Sequence, residues 1–245
     1  MDDDRYETAD SNGSRTMASA LTEVILQDIV TGVLPPGSKL KIRELAERYQ
    51  AGTIPLREAV SRLAMSGFVE AKDQKGFRVT PISQEDLEDI TAVRQRIETD
   101  ALRDAIERGG AEWEGSVLAA FHQMSCLPMT LPGHPQCLNP AWERAHDCFH
   151  ATLLSGSRSK WLKQFASVLR AQSARYRHQS LRSERSPLRD VADEHQSIVK
   201  AILAHDADRA CELLSAHFAA TTQLLHNERT AAAASKPSAE SRRKK

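Results

Sequence analysis

The chain has 245 residues, 40% of them apolar and 27% charged, with a formal net charge of zero, an ordinary composition for a globular protein in water. No apolar run approaches the roughly 18 residues that span a bilayer, and the opening MDDDRYETADSNGSRT is too acidic and polar for a signal peptide. Neither a membrane protein nor a secreted one is expected, and the predicted address is cytoplasmic, where Cys126, Cys137, Cys148 and Cys211 (none in a CxxC pair) are expected as free thiols.

Residues 1–17 and 229–245 lack hydrophobic periodicity and are expected to be disordered tails, the second ending in Arg242-Arg243-Lys244-Lys245. Between them, Leu21, Val24, Ile25 and Ile29 recur at helical spacing until Gly32 and Pro35-Pro36-Gly37 stop the helix. Ile42, Leu45, Ala46 and Tyr49 predict a second short helix, and Leu56, Ala59, Val60 and Leu63 a third, with Pro55 in its first turn. The period then shortens, and 68–71 and 77–80 read as two strands joined by a charged turn. Three helices followed by a ribbon make a winged helix-turn-helix, here over 18–82. Such a module docks either a protein or DNA. For DNA, residues 15–82 hold ten basic and seven acidic side chains, a net of about +3, which suits phosphates. Arg43 opens the second helix, Arg57 lies early in the third, and Lys75-Gly76 forms the wing tip.

The stretch IVTGVLPPGSKLKIRELAERYQAGTIPLREAVSRLAMSGFVEAKDQKGFRV resembles the GntR family signature over about fifty residues, through Ile29, Gly32, Leu34, Pro36, Gly37, Leu40, Leu45, Ala46, Pro55, Arg57, Glu58, Ala59, Leu63, Gly67, Val69 and Gly76. The resemblance implies a homodimer that reads a palindromic double-stranded operator, by family habit a repressor, with DNA contacts at Arg43, Thr53, Arg57, Lys75 and Gly76. One turn departs from the family. It usually reads Ser-Arg-Thr-Pro and here reads Gly52-Thr53-Ile54-Pro55. An arginine contact is missing, Thr53 offers a hydroxyl instead, and Ile54 is expected to forgo a helix cap worth roughly 0.5–2 kcal/mol.

Beyond Pro81-Ile82, Ser83 is placed to cap a long helix over 84–108, ended at Gly109-Gly110. Further helices are predicted over 112–125, 140–155, 158–181, 188–205 and 207–226, and the proline-rich segment Leu127–Pro140 is predicted to be a loop. The fold class is therefore mainly α, an N-terminal winged helix-turn-helix and a C-terminal all-α helical bundle over 83–228. His146 and His150 share one helical face, His195 shares a stripe with Ile198, Val199 and Ile202, and His217 with Leu213, Leu214 and Leu224. Four such histidines are either separately satisfied core residues or ligands converging on a metal between helices. Arg94 and Glu98 are four apart on or beside the apolar face of the long helix, which fits a surface ion pair or a charged pocket wall.

Residues 83–226 resemble the FCD-type effector domain of the FadR branch, through His146-Asp147-Cys148-Phe149-His150, Glu194-His195-Gln196-Ser197-Ile198, His217 and Arg94-Gln95-Arg96-Ile97-Glu98. His146 stands where that family usually has aspartate, so the resemblance implies a metal site of His146, His150, His195 and His217. All-imidazole ligation favours a divalent transition metal such as zinc or nickel. The resemblance also points Arg94 at a small carboxylate effector. The segment Arg175-Tyr176-Arg177-His178 offers a second source of cations, whose weak stripe leaves open which of them faces inward and from which Arg175 is taken. Similarity to the CsiR-type subgroup implies control of a dicarboxylate or amino-acid catabolic operon, with a five-carbon diacid such as glutarate as effector. Two rivals stand beside this reading: a metal-dependent hydrolase built on the histidines, and a regulator whose helical domain only dimerises.

Overall fold

The computed structural model describes residues 16–72, 75–180 and 190–234. The chain forms two compact units that divide between Thr80 and Pro81, with Val30–Gly32 grouped with the second.

The first unit contains α1 (Met17–Val30), β1 (Lys39–Leu40), α2 (Ile42–Tyr49), α3 (Thr53–Met65), β2 (Val69–Lys72) and β3 (Gly76–Val79). Its helices bury most of the apolar stripes expected of them: Ile25, Leu56, Ala59 and Val60 are fully enclosed, with Ile29, Leu45 and Leu63 nearly so, while Val24 is half exposed. Polar links tie the helices together. Tyr49 Oη donates to Asp28 Oδ2 at 2.7 Å and Arg62 Nη1 to Ser19 Oγ at 3.0 Å.

Three local features differ from expectation. The ribbon is a three-stranded antiparallel sheet in the order β1-β3-β2, with Lys39 opposite Arg78 and Lys72 opposite Gly76. A two-residue strand carries no periodicity of its own, so only its pairing reveals it. The left-handed residue between α2 and α3 is Gln50, at φ 49° and ψ 45°, a conformation more usual for glycine. Gly52 is instead the N-cap of α3, with extended backbone and no side-chain cap. Ile54 is thus the second residue inside the helix and not its failed cap.

The second unit contains α4 (Gln84–Arg108), α5 (Gly110–Ser125), β4 (Thr130–Leu131), β5 (His134–Leu138), α6 (Pro140–Leu153), α7 (Lys160–Ser180), α8 (Val191–Leu203) and α9 (Ala207–Ala234). Side-chain oxygens cap three of these helices: Ser83 accepts from Asp86 N, Asn139 from Ala141 N and Asp190 from Asp193 N. Pro140 follows its cap at a position where its missing N–H costs nothing. The α4–α5 corner needs glycine twice. A Cβ on Gly109 would lie 2.4 Å from Trp113, and Gly110 has φ +61°. Helix α4 packs along α7 and α9, α5 along α6 and α8, and α8 along α9. Leu102, Phe149, Leu153, Ile198, Ile202 and Leu214 form the fully enclosed centre.

The expectation of an all-α domain needs one correction, the hairpin β4–β5 within the predicted loop. Its prolines argued against a strand, yet in a two-stranded ribbon every strand has an unpaired edge where Pro135 is tolerated. A second correction is that α9 continues to Ala234, past the expected start of the C-terminal tail at 229. The rest of that tail, including Arg242–Lys245, and residues 1–15 lie outside the described residues. All four cysteines are free, Cys211 buried and the others exposed. Among the described residues no helix is long and apolar enough to cross a membrane.

Candidate functional sites

In the first unit, the five residues predicted to touch DNA are all exposed. Arg43 is the second residue of α2, Thr53 the first of α3, and Arg57 lies one turn further along α3. Gly76, at φ +79° with open space where a Cβ would sit, opens β3 beside Lys75. The sheet adds cations that sequence patterning missed. Lys39, Lys72, Lys75 and Arg78 line a groove of about 320 Å³ with Gly76 and Phe77. The cross-strand register brings Lys39 beside Arg78, and only recognition of β1 would have revealed that neighbour.

In the second unit, α6, α8 and α9 bring the four histidines together. One nitrogen from each of His146, His150, His195 and His217 lies within 4.8 Å of the other three. All are buried, His150 and His195 to 1% exposure. Aromatic packing fixes their planes: His146 stacks on Trp142 at 4.7 Å, and Phe149 meets His150 and His195 edge-on at 5.4 and 5.2 Å. His195 Nε2 lies 3.3 Å from His150 Nε2. His217 Nδ1 lies 2.8 Å from Glu194 Oε2, a geometry in which Nδ1–H donates and Nε2 keeps its lone pair.

Burial pushes His146 and His150 well below the ordinary histidine range, and the neighbouring histidines and Arg94 push both the same way, with Arg177 adding to the effect on His146. Both rings are therefore neutral near pH 7. Their Nδ1 atoms are buried without a hydrogen-bond partner among the described residues, a cost that separately satisfied core histidines would not carry. Asp147 takes no part. It is more than half exposed and accepts from Arg170 Nε at 3.1 Å.

Arg94 is buried and not part of a surface pair. Its Nε donates to Glu98 Oε1 at 2.6 Å, its Nη1 to Ser173 Oγ at 3.0 Å, and its guanidinium sits 3.8 Å from the centre of the Phe218 ring. Glu98 Oε2 has no hydrogen-bond partner among the described residues. Arg175 and Arg177 lie on different sides of α7. Arg175 bonds Gln172 at 3.1 Å; burial lowers its pKa, and the nearby Asp86 carboxylate partly offsets this. Arg177 sits 3.5 Å from Glu143 Oε1 and shares fields with Arg94 and His146. Glu143 Oε2 also pairs with His178 at 2.6 Å. The geometry thus groups Arg177 and Glu143 with the histidines, and places Arg175 elsewhere. The i,i+3 spacing of Glu143 and His146 was the available signal, along with the inward stripe Arg170, Ser173, Arg177.

Comparison with known proteins finds a family for each of the two units. "Bacterial regulatory proteins, gntR family" matches residues 17–79, and "FCD domain" matches residues 89–220. The chain is 38% identical over 203 residues to the uncharacterized HTH-type transcriptional regulator BphR of Paraburkholderia xenovorans, covering 83% of this chain and 82% of the relative. It is 37% identical over 193 residues to the HTH-type transcriptional repressor GlaR of Escherichia coli, covering 78% and 87%. Among solved structures, E. coli McbR/YncC shares the fold, with TM-score 0.72 at 16% identity over 87% of this chain and 99% of that one. With one family model on each unit and relatives at 37–38% identity over most of both chains, the chain belongs to the GntR family of bacterial regulators. It is a DNA-binding transcriptional regulator with a C-terminal FCD domain, and not a metal-dependent hydrolase.

Proposed function

We propose that the protein is a homodimeric repressor that holds a divalent transition metal on His146, His150, His195 and His217 and leaves a palindromic operator when a small dicarboxylate binds beside that metal. The observation that carries this reading is the convergence of four buried imidazoles within 4.8 Å, two of them with orphaned Nδ1 atoms. A set of nitrogen donors fits zinc or nickel and is wrong for magnesium or calcium. Bound there, the ion supplies positive charge that attracts a carboxylate oxygen.

Charge balance supports a dianion. Four imidazoles leave a divalent charge undiminished, while Arg94 is matched by Glu98 and Arg177 by Glu143. The doubly charged complement is a short diacid, with glutarate the first candidate, and the regulated operon then serves dicarboxylate or amino-acid catabolism. Effector binding lowers operator affinity by linkage. The relative GlaR, named a transcriptional repressor, supports the sign of regulation.

Metal analysis of the purified protein tests this. Near-stoichiometric zinc or nickel in the wild type, lost in His150→Ala and His195→Ala, is the expected result. The metal-loaded protein should then melt higher with glutarate than with butyrate. Wild-type protein that takes up neither ion on incubation sinks the centre. A metal-loaded protein indifferent to every diacid sinks the effector class alone, and favours a domain that only dimerises.

A further inference from the structure

The outer face of α3 carries a side chain that neither the core nor the helix cap explains. Ile54 is 81% exposed although it is the second residue of a helix whose inner face, Leu56, Ala59, Val60 and Leu63, is sealed. Gly52 holds the cap position, so residue 54 has no capping duty. On the outer face Ile54 keeps company with Thr53, Arg57 and Ser61, all exposed and polar.

A recognition helix lays its N-terminal residues against base edges in the major groove. There the one apolar group a base presents is the thymine C5-methyl. Ile54 is also β-branched and stiff at χ1, so it would meet that methyl with little entropy left to lose. We infer that Ile54 is a specificity-determining residue that reads a thymine methyl in each operator half-site. This rests on the family's DNA-binding role and extends it to one base.

The test uses the full chain. Its preferred duplex is first selected from a random pool, and each thymine is then replaced singly by uracil, which removes only the methyl. At one thymine per half-site, the replacement should weaken wild-type binding roughly four-fold, the worth of one buried methyl-sized group, and leave Ile54→Ala indifferent. Ile54→Thr, which keeps one methyl, should retain part of the discrimination. Because the side chain is exposed, both variants should melt with the wild type.

An operator without any thymine whose methyl effect disappears in Ile54→Ala overturns the inference while DNA recognition stands. So does an Ile54→Ala variant that selects the same site with the same affinity. A pool that enriches no site overturns the inference together with operator recognition.

Discussion

The surface of α3 and the wing, and the histidine centre between α6, α8 and α9, solve opposite problems. The first must meet a hydrated polyanion, and its cations Arg43, Arg57 and Lys75 are exposed, as residues that act through charge on phosphates need to be. The second must hold polar groups out of water, so its histidines, Arg94 and Glu98 are buried, paired or stacked, and their orientation is fixed by the same packing that stabilises the domain. A change at the surface should therefore alter affinity and spare stability. A change at the centre should alter both.

The largest expected effect exploits the contrast between two i,i+4 pairs. Glu98→Ala leaves Arg94 buried without its carboxylate and should cost roughly 3–5 kcal/mol in urea unfolding. Glu58→Ala, which breaks the solvent-exposed pair with Arg62, should cost less than about 1 kcal/mol. Equal losses would break the comparison.

Next in size is metal linkage. Zinc at a hundred times its dissociation constant should stabilise the wild-type helical domain by about 2.7 kcal/mol. His150→Ala should show no such gain in a thermal melt.

Smaller and confined to DNA is the effect of surface charge. Arg57→Ala or Lys75→Ala should weaken binding across sequences and reduce the slope of log K against log salt by about one, with unfolding unchanged. A loss of stability in either variant would contradict the division between the regions.

The smallest effect concerns pH. Asp104 accepts from Arg158 N, Arg108 and Ser157, and these hold its carboxyl down from 3.8 to about 2. With the folded value below the unfolded one, this contribution is present above about pH 4 and disappears as pH falls towards 2. Asp104→Asn should remove that part of the acid dependence, visible as a shallower loss of melting temperature in acid.

Much of the fold was legible because burial imposes a period. The stripe Leu56, Ala59, Val60, Leu63 and the placement of His195 with Ile198 and Ile202 announce which side faces inward, and that side is where the structure puts them. The exposed residues proposed to touch DNA have no such signature, and they were picked out by their places at helix starts and the wing tip and by the family signature. What patterning missed were strands defined by their pairing and not by a period of their own. Strand β1 exists only because β3 lies beside it, and hairpin β4–β5 forms among prolines that locally oppose it.

The sequence by itself determined that four histidines lie on inward helical faces, because helical spacing fixes direction once the apolar neighbours are known. Only the tertiary structure decided that they meet, that Arg94 is buried with Glu98, and that Arg177 rather than Arg175 stands with Glu143 beside them. The spacing along one helix sets the face of a residue. Which residues share a site depends on how neighbouring helices cross, and that is a property of the packed core.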